Sequence, residues 1–234
     1  MSNNKSNSNI NNLIASSCAT TCAEILTLPI CTIKTNYQTN YQTNYHKGGI
    51  IKTVKNIYQI RGLKGFYSAS IPAISAQVIS TAGKYTLYRV GTSNNFPKVL
   101  SGIGAGIIVS TITHPFDFLR ISLQRDDPIV WESIYRGYSK TLIKVTIGSS
   151  LYLPIYDIIK SYIDNVFVAS LTSAIISTTL IQPFDYIKTR NIAGLNWYQG
   201  SNPLIYFRGC SLNLLRVVPH FITVMCLTEL LTRN

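Results

Sequence analysis

The chain has 234 residues, of which 46% are hydrophobic and only 13% are charged. Soluble domains carry about 25% charged residues, so this composition favours a membrane protein over a soluble one. The charges are mostly positive, with 21 Lys and Arg against nine Asp and Glu, which suits anionic headgroups or anionic solutes. A soluble nucleic-acid-binding protein would also be basic, but it would not keep its bases out of such long apolar stretches.

Six segments approach the roughly 20 mostly apolar residues that a membrane-crossing helix needs. We predict helices over residues 12–34, 70–90, 97–121, 140–160, 166–188 and 211–231. All six carry Ser, Thr, Gly or a charge, which suits helices with one wet face and one lipid face. Residues 1–11 have neither the apolar middle nor the cleavage site of a secretory signal, and we predict a disordered tail there.

A six-residue motif recurs at the ends of the odd-numbered segments. Residues 115–120 read Pro-Phe-Asp-Phe-Leu-Arg and residues 183–188 read Pro-Phe-Asp-Tyr-Ile-Lys, while residues 29–34 keep the proline and the base but have Cys31 in place of the acid. Each proline removes a backbone hydrogen bond and should bend its helix. An acid and a base three residues apart share one helical face, and burying either alone costs about 2.5–3.5 kcal/mol. We therefore predict a ring of ion pairs between neighbouring helices at this end.

A second landmark keeps step with the first. Aromatic-Arg-Gly occurs at residues 135–137 and 207–209, and another base follows eight residues after each arginine. Residues 67–69, Tyr-Ser-Ala, hold the matching place in the first copy. Two landmarks in register indicate an internal repeat, and we predict repeats over residues 12–92, 93–164 and 165–234.

Together these motifs resemble the mitochondrial carrier family, in which Pro-x-[Asp/Glu]-x-x-[Lys/Arg] ends odd helices and aromatic-[Arg/Lys]-Gly precedes even ones. The resemblance covers residues 12–233. It implies an all-α membrane protein, a monomer of six transmembrane helices in three two-helix repeats with threefold pseudosymmetry. It also implies the mitochondrial inner membrane, with both termini on the cytosolic side, and solute exchange by alternating access. For a viral or parasitic gene, the mitochondrion would be that of the host cell.

The resemblance implies a matrix-side gate built from the motif residues. It pairs Asp117 with Lys188 and Asp185 with Lys34, and it leaves Arg120 without a partner because a cysteine replaces the acid. Two glutamines, each four residues after a motif base, resemble the family's brace beneath those ion pairs. The predicted gate residues are Lys34, Asp117, Arg120, Asp185, Lys188, Gln38 and Gln124.

The family's cytosolic-side motif, aromatic-[Asp/Glu]-x-x-[Lys/Arg], is intact only at residues 156–160. The same register places one charged residue in each of the other repeats, so no cyclic pair is complete. With two ion pairs on one side and none on the other, we predict a resting bias toward the cytosol-open state. The predicted cytosolic gate residues are Arg89, Asp157, Lys160 and Glu229.

The connections between helices differ in length. Only the first repeat leaves room for the amphipathic matrix helix of the family, so we expect repeats two and three to lack it. The starts of two even helices resemble the family's cardiolipin sites, since helix N-termini favour phosphate; a basic loop that follows the ordinary positive-side bias is the alternative. The predicted lipid-binding residues are Arg136, Gly137, Arg208 and Gly209.

The substrate site implied by the resemblance lies at three even-helix positions near the bilayer midplane. Two of them hold bases, Lys144 and Arg216. A buried charge without a partner is expensive, so these bases favour an anionic solute. Arg216 suits a bidentate grip on phosphate or carboxylate, whereas Lys144 is a mobile point charge; snorkelling to the headgroups is the alternative for both. The predicted substrate-binding residues are Ala76, Gln77, Lys144, Val145, Arg216 and Glu24.

Glu24 is the one acid inside the first span. We consider three roles for it, namely a hydrogen bond to a base or sugar, proton coupling, and pairing with Lys84 or Lys144, and we favour pairing in the empty carrier. A nucleobase could stack on one of three nearby tyrosines, although aromatics in membrane helices more often serve packing. These are Tyr85, Tyr88 and Tyr152.

We predict an exchanger of anionic solutes, with nucleotides first, because two bases plus tyrosines suit a polyphosphate that carries a ring. The adenine-nucleotide branch has Gly and an aliphatic residue at the second contact position, and residues 144–145 keep only the aliphatic half. A wider or pyrimidine range is therefore open. The alternatives are a dicarboxylate or keto-acid carrier and a carrier-like protein without transport activity.

An enzyme is the weaker interpretation. The sequence has no Gly-rich phosphate loop ending in Gly-Lys-Ser/Thr, no metal-spaced histidines and no Ser/His/Asp signature. Asp117 and Asp185 each have a motif base available to neutralise them, which argues against paired catalytic carboxylates. We predict no cofactor, no metal and no nucleic-acid partner.

Overall fold

The computed structural model describes residues 2–39 and 49–232, with side chains from residue 14 onward apart from a few positions. The secondary structure of these residues is helical, with no strand among them, so the all-α prediction is confirmed. The helices are α1 (Ser2–Thr39), α2 (Ile50–Arg61), α3 (Ser70–Ser93), α4 (Lys98–Arg125), α5 (Tyr138–Tyr162), α6 (Val166–Ile192) and α7 (Cys210–Thr232).

Each predicted span coincides with one of the long helices α1, α3, α4, α5, α6 and α7. By length and composition, three segments within the described residues are apolar enough to cross a membrane, namely Ile14–Thr39, Val99–Arg125 and Phe167–Ile192. The other three long helices, α3, α5 and α7, each place a base against the interior of the bundle, namely Lys84, Lys144 and Arg216. Their crossing of the membrane stays a prediction.

The long helices of the described region form a closed ring. Each packs against the next in chain order, and α7 packs against α1. Gly83 and Gly91, two turns apart on α3, face α4 so closely that a Cβ atom would lie 2.8 Å from Val109 and 2.6 Å from Ser101. Because these two glycines have no side chain, the backbones of α3 and α4 can approach each other closely.

Polar residues within the helices satisfy themselves locally. Thr20, Ser173 and Thr189 each donate a hydrogen bond to the carbonyl four residues earlier, at 2.9, 2.7 and 2.9 Å. Such bonds make hydroxyls tolerable in an apolar helix. The motif prolines Pro29 and Pro115, like Pro183, lie inside α1, α4 and α6.

The connections between the two long helices of each repeat are unequal in length, as predicted. Helix α2 and a 3-10 helix at Leu63–Tyr67 join α1 to α3, whereas only the short 3-10 helices Trp131–Ser133 and Pro203–Phe207 lie in the two later connections. The start of the chain differs from the predicted disordered tail over residues 1–11, since α1 begins at Ser2. Extending an existing helix costs far less than nucleating one, so a polar segment can continue the apolar helix that follows it.

Candidate functional site

A cavity of about 300 Å³ lies inside the ring of helices. Its lining includes six basic side chains and two acidic ones among the described residues, an excess of positive charge. Three of the predicted contact residues without charge also line it, Ala76, Gln77 and Val145. The charged residues are Lys34, Lys84, Arg120, Lys144, Lys188, Arg216, Asp117 and Asp185.

Two motif ion pairs form as predicted. Lys188 Nζ lies 2.6 Å from Asp117 Oδ2 and joins α6 to α4. Lys34 Nζ lies 2.5 Å from Asp185 Oδ2 and joins α1 to α6, and it also donates to Asn213 Oδ1 at 3.1 Å. Both pairs sit one turn past the motif prolines. They therefore join the three helices that carry the motif, α1, α4 and α6, at that end; these are the odd helices, because they correspond to the first, third and fifth predicted spans.

The prediction that Arg120 lacks a partner is wrong. Glu24 Oε1 contacts Arg120 NH2, and Glu24 Oε2 accepts from Arg216 NH2 at 2.8 Å. Pairing of Glu24 with Lys84 or Lys144 is therefore wrong as well. Glu24 lies seven residues before Cys31, two turns along one face of α1, and the long arginine side chains reach that far. Arg120 NH2 also lies 2.9 Å from Cys31 Sγ.

The two predicted substrate bases are not unpartnered in this state. Lys144 Nζ contacts Asp185 Oδ1, and Arg216 shares Glu24 with Arg120. Burial of a charge is tolerable only beside an opposite charge, and these two acids supply it. The bases nevertheless line the cavity, where an entering anion could compete for them.

Lys84 is a cavity base that the site prediction omitted. It lines the cavity eight residues after Ala76 on α3, and among the described residues it makes no side-chain hydrogen bond or ion pair. Two helix turns place both on the same face. That spacing was the available signal, but Lys84 entered the sequence argument only as a partner for Glu24.

The predicted stacking face is not in the cavity. Tyr85 and Tyr88 are not among its lining residues, and the Tyr85 ring instead lies 5.7 Å from the Arg89 guanidinium. Tyr85 lies nine residues after Ala76, which is the opposite side of α3. The side chain of Tyr152 lies outside the described residues.

The predicted cytosolic gate residues stay apart. Arg89 NH1 donates to Tyr85 Oη at 3.4 Å, Lys160 lies over the Tyr156 ring, and Asp157 is exposed. None of these three charges makes an ion pair within the described part of the chain, as the incomplete motifs suggested. The side chain of Glu229 lies outside the described residues.

Gln38 and Gln124 are fully buried, and among the described residues their side chains make no hydrogen bond to the motif ion pairs. Gln124 Oε1 accepts from Thr35 Oγ1 at 2.6 Å, and Gln38 Nε2 donates to the Arg208 carbonyl at 3.2 Å. They therefore link α4 to α1 and α1 to the start of α7. Their role as a brace of the ion pairs stays a prediction.

The predicted lipid-binding arginines make contacts within the protein. Arg136 Nε donates to the Ile192 carbonyl at 3.0 Å, and Arg208 Nε donates to the Tyr37 carbonyl at 3.0 Å. Each thus satisfies an unpaired carbonyl at the end of an odd helix, α6 or α1. Gly137 and Gly209 have φ of +79° and +82°, so both turns need glycine where the chain enters α5 and α7. Lipid binding at these starts stays a prediction.

The first repeat has Ser68 where the others have arginine, and another residue takes over. Arg61, at the end of α2, donates to the carbonyls of Leu123 and Gln124 at 3.0 and 2.6 Å, at the end of α4. Ser68 Oγ adds a 3.0 Å bond to the Leu123 carbonyl. The ends of α1, α4 and α6 therefore each meet a base from another repeat: Arg61 of the first repeat contacts α4, Arg136 of the second contacts α6, and Arg208 of the third contacts α1.

Arg61→Ala is expected to lower the thermal unfolding midpoint by about 5 °C, because two bonds from a charged donor, each contributing about 1.5–3 kcal/mol when buried, are lost at a partly buried site. Thermal unfolding of the detergent-purified protein measures it. Lys64→Ala, an exposed base on the neighbouring 3-10 helix, is the control. Ser68→Arg in the Arg61→Ala background should recover stability; an unchanged midpoint for Arg61→Ala would contradict the assignment.

A closed ring of long helices around a basic cavity, with ion pairs joining the helices at one end, is the architecture of a membrane carrier. The comparisons agree with this class. Residues 5–93 match the family model described as mitochondrial carrier protein. Over 221 residues the chain is 45% identical to a mitochondrial carrier-like protein of Acanthamoeba polyphaga mimivirus, covering 90% of this chain and 91% of that protein.

More distant relatives carry substrate names. The chain is 26% identical to mitochondrial thiamine pyrophosphate carrier 1 of Candida albicans, over 42% of this chain and 37% of that protein. It is 24% identical to the chloroplastic nicotinamide adenine dinucleotide transporter 1 of Arabidopsis thaliana, over 79% and 77%. The protein belongs to the mitochondrial carrier family. It is a multi-pass membrane protein of a family of transporters rather than enzymes.

Proposed function

We propose that this carrier exchanges anionic solutes by alternating access, and that nucleotides are its principal substrates. The observation that carries the proposal is the charge of the cavity, where six bases face two acids. An anion entering the ring meets Lys84, which has no ion-pair partner among the described residues, and then Lys144 and Arg216, each of which shares an acid with another base. The basic side chains of the cavity repel one another, and the negative charge of the solute attracts them and so offsets that repulsion.

The proposed state is open on the side away from the motif ion pairs. The odd helices are joined by Lys188–Asp117 and Lys34–Asp185, whereas the described charges at the opposite end form no ion pairs. This supports a resting bias toward the cytosol-open state, with all six long helices crossing the inner mitochondrial membrane. Opening the matrix side would break these pairs, and solute contacts would have to compensate.

The substrate class follows from the levels of the bases. Lys84 lies two turns along α3 from Ala76, while Lys144 and Arg216 hold contact positions. Bases at more than one level suit an extended chain of phosphates, and the named solutes of two relatives, thiamine pyrophosphate and nicotinamide adenine dinucleotide, contain a pyrophosphate. Because Tyr85 and Tyr88 are outside the lining of the cavity, we propose that the carrier recognises the phosphates and selects little among nucleobases.

Exchange assays in proteoliposomes test this proposal. Liposomes preloaded with a nucleoside triphosphate should take up labelled nucleotide, purine or pyrimidine, and liposomes without internal substrate should not. Labelled dicarboxylate in the same system is the matched alternative. Uptake of dicarboxylate alone would establish the dicarboxylate or keto-acid carrier, and absence of exchange for both classes would favour a carrier-like protein without transport.

We also propose that the protein is a monomer that binds anionic phospholipid, cardiolipin first, at the starts of α5 and α7. Helix N-termini attract phosphate, and α5 and α7 begin directly after Gly137 and Gly209, next to Arg136 and Arg208. Native mass spectrometry of the detergent-purified protein measures both the mass of the assembly and the retained lipid.

A further inference from the structure

We infer that Glu24 supplies the carboxylate that the first motif lacks, and that it links the closing ion pairs to the substrate site. The inference deepens the proposed function and rests on it for the second half. Its basis is one arrangement: a fully buried carboxylate with Arg120 on one oxygen and Arg216 on the other.

Glu24 completes the set of contacts between the odd helices. Lys188–Asp117 joins α6 to α4, and Lys34–Asp185 joins α1 to α6. The ion pair that the motif would place between α1 and α4 is missing, because Cys31 offers Arg120 only a thiol. Glu24–Arg120 makes that link from two turns away on α1, so the three odd helices are tied in a cycle.

Glu24 also contacts a basic residue of the proposed substrate site, and Asp185 does the same. Glu24 contacts Arg120 of the motif and Arg216 of the contact position, while Asp185 contacts Lys34 of the motif and Lys144 of the contact position. In the third case the contact position is Ala76, which carries no charge, and Asp117 has its motif base alone. Each substrate base is therefore linked through one acid to a closing base.

This arrangement transmits solute binding to the closed end. An anion that binds Arg216 competes with Glu24 for its guanidinium, and the carboxylate is left with Arg120 and a less favourable burial. The contact between α1 and α4 then becomes easier to break. Glu24 acts as a positioning residue: solute binding at Arg216 weakens its contact with one carboxylate oxygen, and this changes the stability of the gate contact that Arg120 makes with the other oxygen.

The acid can be moved back to its ordinary place, which makes the first half testable without transport. Glu24→Gln should lower the thermal unfolding midpoint by about 5–10 °C, because two half-buried arginines, Arg120 and Arg216, lose their fully buried acid. Adding Cys31→Asp should recover at least half of that loss, since the new carboxylate lies beside Arg120. Cys31→Asn in the same background is the matched control and should recover none. Equal midpoints for the Asp and Asn versions would overturn the role of Glu24 as the missing acid.

The second half is read from exchange with a nucleoside triphosphate as the probe. Glu24→Gln with Cys31→Asp should still be stabilised by the nucleotide, yet exchange it about tenfold more slowly than the original protein, because Arg216 no longer shares its acid with the gate. Exchange at the original rate would overturn the link and leave the missing-acid role standing. If the original protein neither exchanges nor is stabilised by nucleotide, the proposed function fails, and the stability comparison still decides the role of Glu24.

Discussion

Replacing Arg216 or Lys144 by Ala is expected to reduce nucleotide exchange by about a hundredfold or more, because truncating a charged partner at a buried contact costs about 2–5 kcal/mol. The fold should survive either change. Without Arg216, Glu24 keeps Arg120; without Lys144, Asp185 keeps Lys34. Neither variant leaves a buried carboxylate alone, so loss of transport would report the loss of a solute contact.

Initial rates of labelled nucleotide uptake into proteoliposomes measure this effect, normalised to the amount of reconstituted protein. Lys55→Ala removes an exposed base from α2, outside the cavity, and should leave the rate unchanged. Lys144→Arg keeps the positive charge and should retain part of the activity, although the planar guanidinium of arginine places its hydrogen-bond donors differently from a lysine ammonium. Normal exchange by either Ala variant would refute the site assignment.

The largest effect on stability is expected for Asp185→Asn. The change leaves Lys34 and Lys144 without the acid that both contact, and Lys34 is only 7% exposed. Removing one partner of a buried pair costs about 3–5 kcal/mol, which corresponds to a fall of about 10 °C in the unfolding midpoint for a chain of this size. Exchange should be lost as well, because one of the proposed closing pairs disappears.

Thermal unfolding with and without nucleotide measures the loss, and two other acids calibrate it. Asp117→Asn strips a partner from Lys188 alone, at a side chain that is 25% exposed, and should cost less. Asp157→Asn changes an exposed acid without an ion pair in the described residues and should stay within about 0.5 kcal/mol. A smaller fall for Asp185→Asn than for Asp117→Asn would contradict its role as a shared acid.

Local spacing predicted the elements and part of the site. The apolar runs indicated the long helices, and the repeated landmarks placed Lys144 and Arg216 at matching positions, both of which line the cavity. The motif spacing also predicted the pairs Lys188–Asp117 and Lys34–Asp185, because acid and base sit on one face and neighbouring copies are alike. Where a repeat keeps its motif, one copy predicts the next.

Where the first repeat departs from the motif, the same reasoning failed. Arg120 was expected to be unpaired, yet Glu24 reaches it from two turns away. Ser68 stands where the other repeats have arginine, and Arg61 from α2 makes the corresponding contact at the end of α4, which the spacing of the motifs did not indicate. Long flexible side chains span several positions on facing helices, so a partner can be replaced from a place that no register indicates. The tyrosines failed in the opposite way, since Tyr85 lies near the right level but on the wrong face.

By itself the amino-acid order determined the membrane class, the helical spans and the threefold repeat of landmarks, since all of these depend on composition and on distances along the chain. Only the tertiary structure decided that each substrate base shares an acid with a motif base. The physical reason is that a charge in an apolar bundle pairs with whatever opposite charge the packing brings within reach. The packing of α1, α4 and α7 against one another cannot be predicted from residue spacing within any one of these helices.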